Sequence, residues 1–393
     1  MTALIIFWSS AALIFYAYLG YPALLWFRNR IIRRPVSKHP IEPSVSVILV
    51  VRNEESRIGA KLANICALDY PADKLEIVIV SDASTDGSVE AVRNYRPLRS
   101  QRITLLELAS RSGKAAGLEK AIAASKNEIL LFTDVRQEIE RSALRNLVTN
   151  FADSGVGCVS GELMLRKAGT AMRGDVSLYW RIEKLVRKLE SESGSVIGAT
   201  GALYAARREA VVPPPVGTIL DDVFIPMHVV KNGLRVTFES TAVAWDTMCD
   251  ERQEFRRKVR TLAGNYQLIR IAPWLLRSDN PVLLSFVSHK LLRMWVPLFL
   301  LGAWFANLLL ISREFYLVTF VIQCLGYLAA LSGLLLPKQF VPTICSAAFS
   351  MLLLNAAAVV AAFEFIVHGR DLDHLWQSAE APSAGAISGG GVR

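Results

Sequence analysis

Residues 44–56 read SVSVILVVRNEES, and residues 75–88 read LEIVIVSDASTDGS. Each begins as a run of branched apolar residues and ends in a loop rich in Asn, Asp, Ser and Gly, the mark of a strand that stops at a polar turn. A strand that stops in such a loop and feeds a helix is how an α/β domain builds a ligand site. The first loop offers Arg52, Asn53 and Glu54; the second offers Asp82, Asp86 and Gly87.

Outward from these two segments, strands are expected at Arg102 to Glu107, Glu128 to Thr133 and Val156 to Gly161. Helical segments alternate with several of them, so the expected fold class is α/β with a largely parallel sheet. The domain runs over residues 44–267, about 220 residues and enough for a core of its own. The sequence contains no internal repeat.

The flanks are of another character. The chain has 393 residues, of which 52% are apolar, and its mean hydropathy is positive. Residues 2–27 carry no charge and are followed by Arg28, Arg30, Arg33 and Arg34. About 25 such residues cross a bilayer core of about 30 Å. By the positive-inside rule the arginines stay cytoplasmic, which places the N-terminus outside and the domain inside. A cleaved signal peptide would need a basic n-region and a shorter apolar core. Residues 28–43 form a basic linker with prolines at 35, 40 and 43. Beyond an amphipathic helix at about 253–271 and an interfacial segment to 291, apolar runs at 292–311, 315–336 and 341–367 read as three further transmembrane helices. A soluble bundle would show polar faces, and these runs have almost none. The last residues, 378–393, are rich in Ala, Ser, Pro and Gly and are expected to be disordered.

The formal charge is +9, from 44 basic and 35 acidic residues. Much of the excess flanks the apolar spans or lies in 256–260, which fits anionic lipid headgroups and phosphorylated ligands rather than nucleic acid. The five cysteines, at 66, 158, 249, 324 and 345, form no C-x-x-C pair and read as free thiols of a cytoplasmic domain. None of the five histidines sits in H-E-x-x-H spacing, which argues against a zinc hydrolase.

With Val50-Val51-Arg52-Asn53-Glu54 and Asp82-Ala83-Ser84-Thr85-Asp86-Gly87 in one chain, the sequence resembles the family 2 inverting glycosyltransferases. The likeness extends to membrane-bound polysaccharide synthases of the cellulose, hyaluronan and poly-N-acetylglucosamine synthase type. It implies a GT-A (nucleotide-diphospho-sugar transferase, Rossmann-like) cytoplasmic domain plus transmembrane α-helices, in a bacterial inner membrane. It also implies a nucleotide-sugar donor, UDP-linked, read by Arg52, Asn53, Glu54 and Asp82. The competing role of these residues is ordinary turn and helix-cap chemistry.

Gly113-Lys114-Ala115-Ala116-Gly117-Leu118-Glu119 resembles the family's G-K-x-x-x-L-N segment, with Glu119 where Asn is common. A lysine at a helix start can approach a diphosphate with the help of the helix dipole. The spacing is not that of a Walker A loop. Thr133-Asp134-Val135-Arg136 stands where the family has D-x-D, so Asp134 is the remaining metal ligand for Mg²⁺ or Mn²⁺. Arg136 cannot ligate a metal but can pair with a phosphate. Gly198, Thr200 and Gly201 resemble the acceptor loop. Asp221 and Asp222 stand at the family's acid pair, with Asp222 as general base and Asp221 as orienting partner. Where processive synthases have Q-x-x-R-W, this chain has Arg257, Arg260 and Thr261. Arg260 keeps its place for the leaving diphosphate, while the ring that stacks on an acceptor sugar is missing.

The reaction expected is transfer of a sugar to a glycan or lipid-linked acceptor at the membrane, by extension of a polysaccharide or by single addition. The alternative is a non-catalytic nucleotide-sugar-binding subunit, suggested by the lost metal carboxylate. Oligomeric state is not legible.

Overall fold

The computed structural model describes residues 1–99, 101–166, 178–248, 251–335, 343–369, 372 and 375. Cys249, the Pro337-Lys338 break and the segment from Ser378 lie outside them.

Helices α1 (Thr2–Phe15) and α2 (Tyr21–Ile31) are joined by a π turn at Tyr16–Gly20. The domain then alternates β1 (Val45–Val51), α3 (Glu55–Cys66), β2 (Leu75–Ser81), α4 (Ser88–Asn94), β3 (Arg102–Glu107), α5 (Gly113–Ala124) and β4 (Ile129–Phe132). It continues through β5 (Glu138–Ile139), α6 (Ala143–Val148), β6 (Val156–Arg166), α7 (Leu178–Ser193), β7 (Tyr204–Arg207), α8 (Asp221–Lys231), β8 (Arg235–Thr247) and α9 (Glu251–Ile271). The last helices are α10 (Leu283–Ser285), α11 (Leu292–Leu309), α12 (Glu314–Leu335) and α13 (Thr343–His368), with a π turn at Phe286–Leu291 between α10 and α11.

Among the described residues eight strands form one sheet in the order β3-β2-β1-β4-β7-β6-β8-β5. β3, β2, β1 and β4 are parallel, with Val47 opposite Ile77 and Leu131. Both faces of this half are covered, which is why β1 reads as a continuous apolar run. Val45, Val47 and Leu49 pack with Ile58, Leu62 and Ile65 of α3, whereas Ile48 packs with Leu118 and Ala121 of α5. The other half is mixed. β7 is antiparallel to β4 and β6, and β8 runs parallel to β6. β6 continues to Arg166 instead of stopping at Gly161. That glycine marks a register irregularity between Ser160 and Glu162, where a Cβ would stand 2.7 Å from the Ala242 carbonyl oxygen.

Among the described residues four helical stretches are long and apolar enough to cross a membrane: Thr2–Ile31, Leu283–Leu309, Glu314–Ser332 and Ala348–His368. Trp8, Phe15, Leu298, Phe305, Ile322 and Ile366 are exposed along them, the distribution expected of a lipid-facing surface. The second stretch begins at Leu283 rather than Leu292. Its polar residues His289 and Arg293 turn toward α7, where they meet carboxylates, so these groups at the start of the apolar run have a place inside the protein. α9 buries Val259, Ala263, Gly264 and Leu268, and Tyr266 stacks on Phe365 of α13 at 5.5 Å. It is thus packed between the domain and the last helix.

Candidate active site

The carboxyl ends of β1, β2 and β4 lie side by side, and the loops that follow them are locked together by their own polar groups. Asn53 and Ala83 take left-handed backbone conformations, with φ of 50° and 48°; Asn tolerates this better than most residues. Asn53 Oδ1 accepts the Thr85 N–H at 2.8 Å, and Arg52 Nη1 donates to the Asp82 carbonyl at 2.8 Å. Glu54 pairs with Arg57 at 2.9 Å. Asp82, only 4% exposed, accepts the N–H groups of Ser112 and Gly113 at 2.7 and 3.0 Å. Its carboxylate therefore caps α5 and fixes the residue that follows, Lys114.

Lys114 Nζ reaches Asp134 Oδ1 at 3.0 Å and Asp221 Oδ2 at 3.2 Å. Burial works against its charge, but these two carboxylates outweigh it and hold the ammonium above the usual lysine range. Burial likewise opposes ionisation of Asp134, and Lys114, with Arg136 and Lys61 behind it, overcomes that and lowers it. For Asp221, which is deeper, burial prevails over Lys114 and the carboxyl is raised.

Asp221 and Asp222 open α8, where the helix dipole favours negative charge. The loop 198–201 wraps this end: Ala199 donates its N–H to the Asp222 carbonyl at 2.7 Å, and Gly201 donates to Asp222 Oδ2 at 3.1 Å. Gly198 has φ +102°, and a Cβ there would lie 3.0 Å from Val223 Cγ2, so both geometry and space call for glycine. Burial first, then Asp221, pushes the Asp222 carboxyl up to about 6, while Lys114 and Lys290 pull the other way. A carboxylate tuned in this way is suited to accept a proton near neutral pH.

Lys114, Asp134, Asp221, Asp222 and the 198–201 loop are therefore brought together. Arg136 is differently engaged. Its Nε and Nη2 form a bidentate pair with Asp246 on β8, at 3.0 and 2.7 Å, and Gln137 Nε2 donates to the same carboxylate at 3.1 Å. Arg260 lies on α9, the helix that buttresses the approach to the acid pair. From that helix Gln267 accepts the Ile219 N–H at 3.0 Å and donates to the Gly217 carbonyl at 2.9 Å.

Asp246, Gln267 and Lys61 were not singled out by the sequence. Lys61 is 3% exposed and donates to Thr133 Oγ1 at 2.9 Å and the Gln137 carbonyl at 2.6 Å, beneath the Asp134 loop. Burial drives its pKa down to about 7, against Asp134 and Glu138. The signal was present: Lys61 falls three residues after Ile58 and beside Leu62, on the apolar face of α3.

No group of three or more His, Cys, Asp or Glu side chains suited to a metal occurs among the described residues. Asp134 offers one carboxylate, 40% exposed and already bonded to Lys114. One carboxylate completed by diphosphate oxygens and water is a donor set that Mg²⁺ or Mn²⁺ accepts, so the residues fit a substrate-borne ion and not an all-protein cage.

The fold and this arrangement define the class: a GT-A-type sheet whose carboxyl edge carries a lysine, an acid loop and an acid pair. Residues 46–212 match Glycosyl transferase family 2, and this part of the chain is a family 2 glycosyltransferase domain. A poly-β-1,6-N-acetyl-D-glucosamine synthase of Staphylococcus aureus is 22% identical over 259 residues, covering 63% of this chain and 62% of that one. The chain thus spans about three-fifths of that relative's length. A β-monoglucosyldiacylglycerol synthase of Synechocystis is 30% identical over 127 residues, 32% of this chain and 26% of that one. Among solved structures, a mannosyltransferase from Pyrobaculum calidifontis, in complex with GDP-mannose and Mn²⁺, superimposes with a TM-score of 0.68 at 24% identity, covering 92% of this chain and 99% of that one.

Proposed function

We propose that the protein is a membrane-bound inverting glycosyltransferase. It moves a sugar from a nucleotide-diphosphate donor, UDP-linked by the resemblance above, to a glycan or lipid-linked acceptor at a cytoplasmic membrane face, in the synthesis of extracellular polysaccharide or a cell-envelope glycan. The observation that carries this reading is the placement of Asp222: its carboxylate is fixed by the Gly201 N–H and raised to about 6, one residue from an acid bound to Lys114.

In the step proposed, Asp222 removes the acceptor hydroxyl proton. The oxygen attacks the anomeric carbon from the face opposite the diphosphate, the bond to the diphosphate oxygen breaks, and its electron pair leaves with the nucleotide. Lys114 stabilises that departing charge from a fixed position; preorganised charge of this kind usually supplies the largest catalytic term. Arg52, Asn53, Glu54 and Asp82 shape the floor under the nucleotide, and Asp221 orients Lys114. Arg260, on α9, is assigned by the resemblance to pair with the departing diphosphate. A divalent ion held through Asp134 would add charge neutralisation on the diphosphate when bound. Gly198, Thr200 and Gly201 leave room for the acceptor to approach the backbone. The arginine-motif departure at Arg257 and Thr261 favours single addition.

The test is nucleotide release by the detergent-solubilised chain against a panel of UDP-sugars and GDP-mannose, with and without Mg²⁺ or Mn²⁺, in wild type and Asp222→Asn. Release that depends on one donor and is lost in the variant supports the reading. Nucleotide binding without release, with lipid acceptor supplied, would turn it toward a non-catalytic subunit.

A further inference from the structure

The helix α7 carries chemistry that the transfer step does not use. His289, on the π turn before α11, sets Nδ1 2.9 Å from Glu190 Oε1 and Nε2 2.9 Å from Glu183 Oε1. Arg293 Nη1 donates to Glu183 Oε2 at 2.8 Å, and the Tyr21 hydroxyl donates to Glu190 Oε1 at 2.7 Å. These ties clamp α7 between two membrane helices. Burial alone would raise the Glu183 carboxyl, but His289, Arg293 and Lys290 hold it well below the usual range.

On the same face of α7, one turn after Glu183 and one before Glu190, stands Arg187. Its Nη2 donates to Ser160 Oγ at 2.6 Å, and Ser160 Oγ also accepts the Thr200 N–H at 3.0 Å. Thr200 precedes Gly201, whose N–H holds Asp222. A continuous path therefore runs from this guanidinium through the acceptor loop to the candidate base. Arg187 lies 4.9 Å over the Phe238 ring, and burial lowers its pKa. Among the described residues neither Arg187 nor Lys290, next to His289, has a carboxylate at ion-pair distance, although both act on Asp222 or its surroundings electrostatically. Three carboxylates, Glu183, Glu190 and Asp222, thus share the field of four cationic positions, His289, Arg293, Arg187 and Lys290. A half-desolvated cation whose carboxylates stand beyond ion-pair distance is incompletely compensated, and it is relieved by an anion that brings its own acceptor oxygens into contact.

We propose that Arg187 and Lys290 form an anion-binding acceptor subsite beside Asp222, so that the acceptor presents its hydroxyl from a phosphate-bearing group at the membrane face. The inference rests on the reading of Asp222 as general base. The phosphate belongs either to a lipid headgroup or to a free phosphorylated glycan, and the test separates the two.

The full chain in neutral detergent is titrated with dihexanoylphosphatidylglycerol, glycerol 1-phosphate and, as neutral control, dihexanoylglycerol, following tryptophan fluorescence. UDP and GDP binding are measured in parallel. The expected result is that an anionic probe binds at least about tenfold more tightly than the neutral one. Arg187→Gln and Lys290→Gln should each remove most of that preference and leave nucleotide affinity unchanged, with Arg187→Lys restoring part of it. A preference for the lipid probe assigns the phosphate to a headgroup; a preference for glycerol 1-phosphate assigns it to a soluble acceptor. Equal binding of neutral and anionic probes, or variants that keep the wild-type preference, overturns the subsite. Should Arg187→Gln fail to fold, Lys290→Gln, at a half-exposed position, carries the test. Loss of nucleotide binding in wild type with the anion preference intact would instead sink the donor reading and leave the subsite standing.

Discussion

Gly201 donates its N–H to Asp222 Oδ2 at 3.1 Å, and a Cβ built on Gly201 would stand 3.2 Å from that same oxygen. The contact that positions the proposed base therefore also excludes a side chain. Gly201→Ala should displace the carboxylate by a few tenths of an ångström with little effect on the melting temperature. Because small misplacement of a reacting group is expensive, kcat should fall about tenfold or more, while nucleotide affinity stays. Wild-type kcat in this variant would show that Asp222 is not placed by the loop.

The raised pKa of Asp222 sets a pH window. In the proposed role of general base it works ionised, so kcat/KM should fall as pH drops through about 6. The stability effect has the opposite sense. An acid whose folded pKa lies above its unfolded value of about 3.9 contributes stability below that value and loses it as pH rises through the folded pKa. At pH 7.5 ionised Asp222 burdens the fold, so Asp222→Asn should be inactive yet melt at a higher temperature than wild type. A thermal melt of both proteins at pH 5 and 7.5 decides this: the gap should be larger at pH 7.5.

Lys114 neutralises two acids at once, at 3.0 and 3.2 Å. Lys114→Gln leaves Asp134 and Asp221 facing each other without a cation, and their pKa values should both rise. The loss of a preorganised charge on the leaving group is worth about 10²–10³ in kcat. Nucleotide affinity should weaken as well, measured by calorimetry with UDP and GDP. A variant that binds nucleotide as wild type does would place the diphosphate elsewhere.

The parallel half of the sheet was legible because β1 and β2 are buried on both faces and so advertise themselves as unbroken apolar runs. β7 was not: Tyr204–Arg207 has four residues, two of them alanine, and becomes a strand only because β4 and β6 offer it edges on both sides. β8 was hidden by Glu239, Ser240 and Thr241 within its length. The site divides in the same way. Lys114, Asp134 and the acid pair follow strand ends or open helices, where local pattern reports position. Asp246 and Gln267 act across more than forty residues of sequence, and no local pattern announces such a contact.

Arg136 is where sequence pattern and structure diverge most, and it yields the sharpest stability prediction. Read by spacing, Arg136→Asp would restore a D-x-D loop. In the fold it would set a new carboxylate against Asp246, whose side chain is 3% exposed and is now held by Arg136 and Gln137. Removing one partner of a buried pair and adding a like charge destabilises; with Arg136 itself 40% exposed, solvent screening reduces this to about 1–3 kcal/mol. The melting temperature should drop by several degrees. Arg136→Lys should fall between, since it keeps the charge and loses the fork. Adding Asp246→Asn to Arg136→Asp removes the repulsion and should recover part of the loss, a coupling that a double-mutant cycle measures directly. If Arg136→Asp alone melts like wild type, the Arg136–Asp246 pair does not hold the Asp134 loop, and Arg136 is then available to a phosphate.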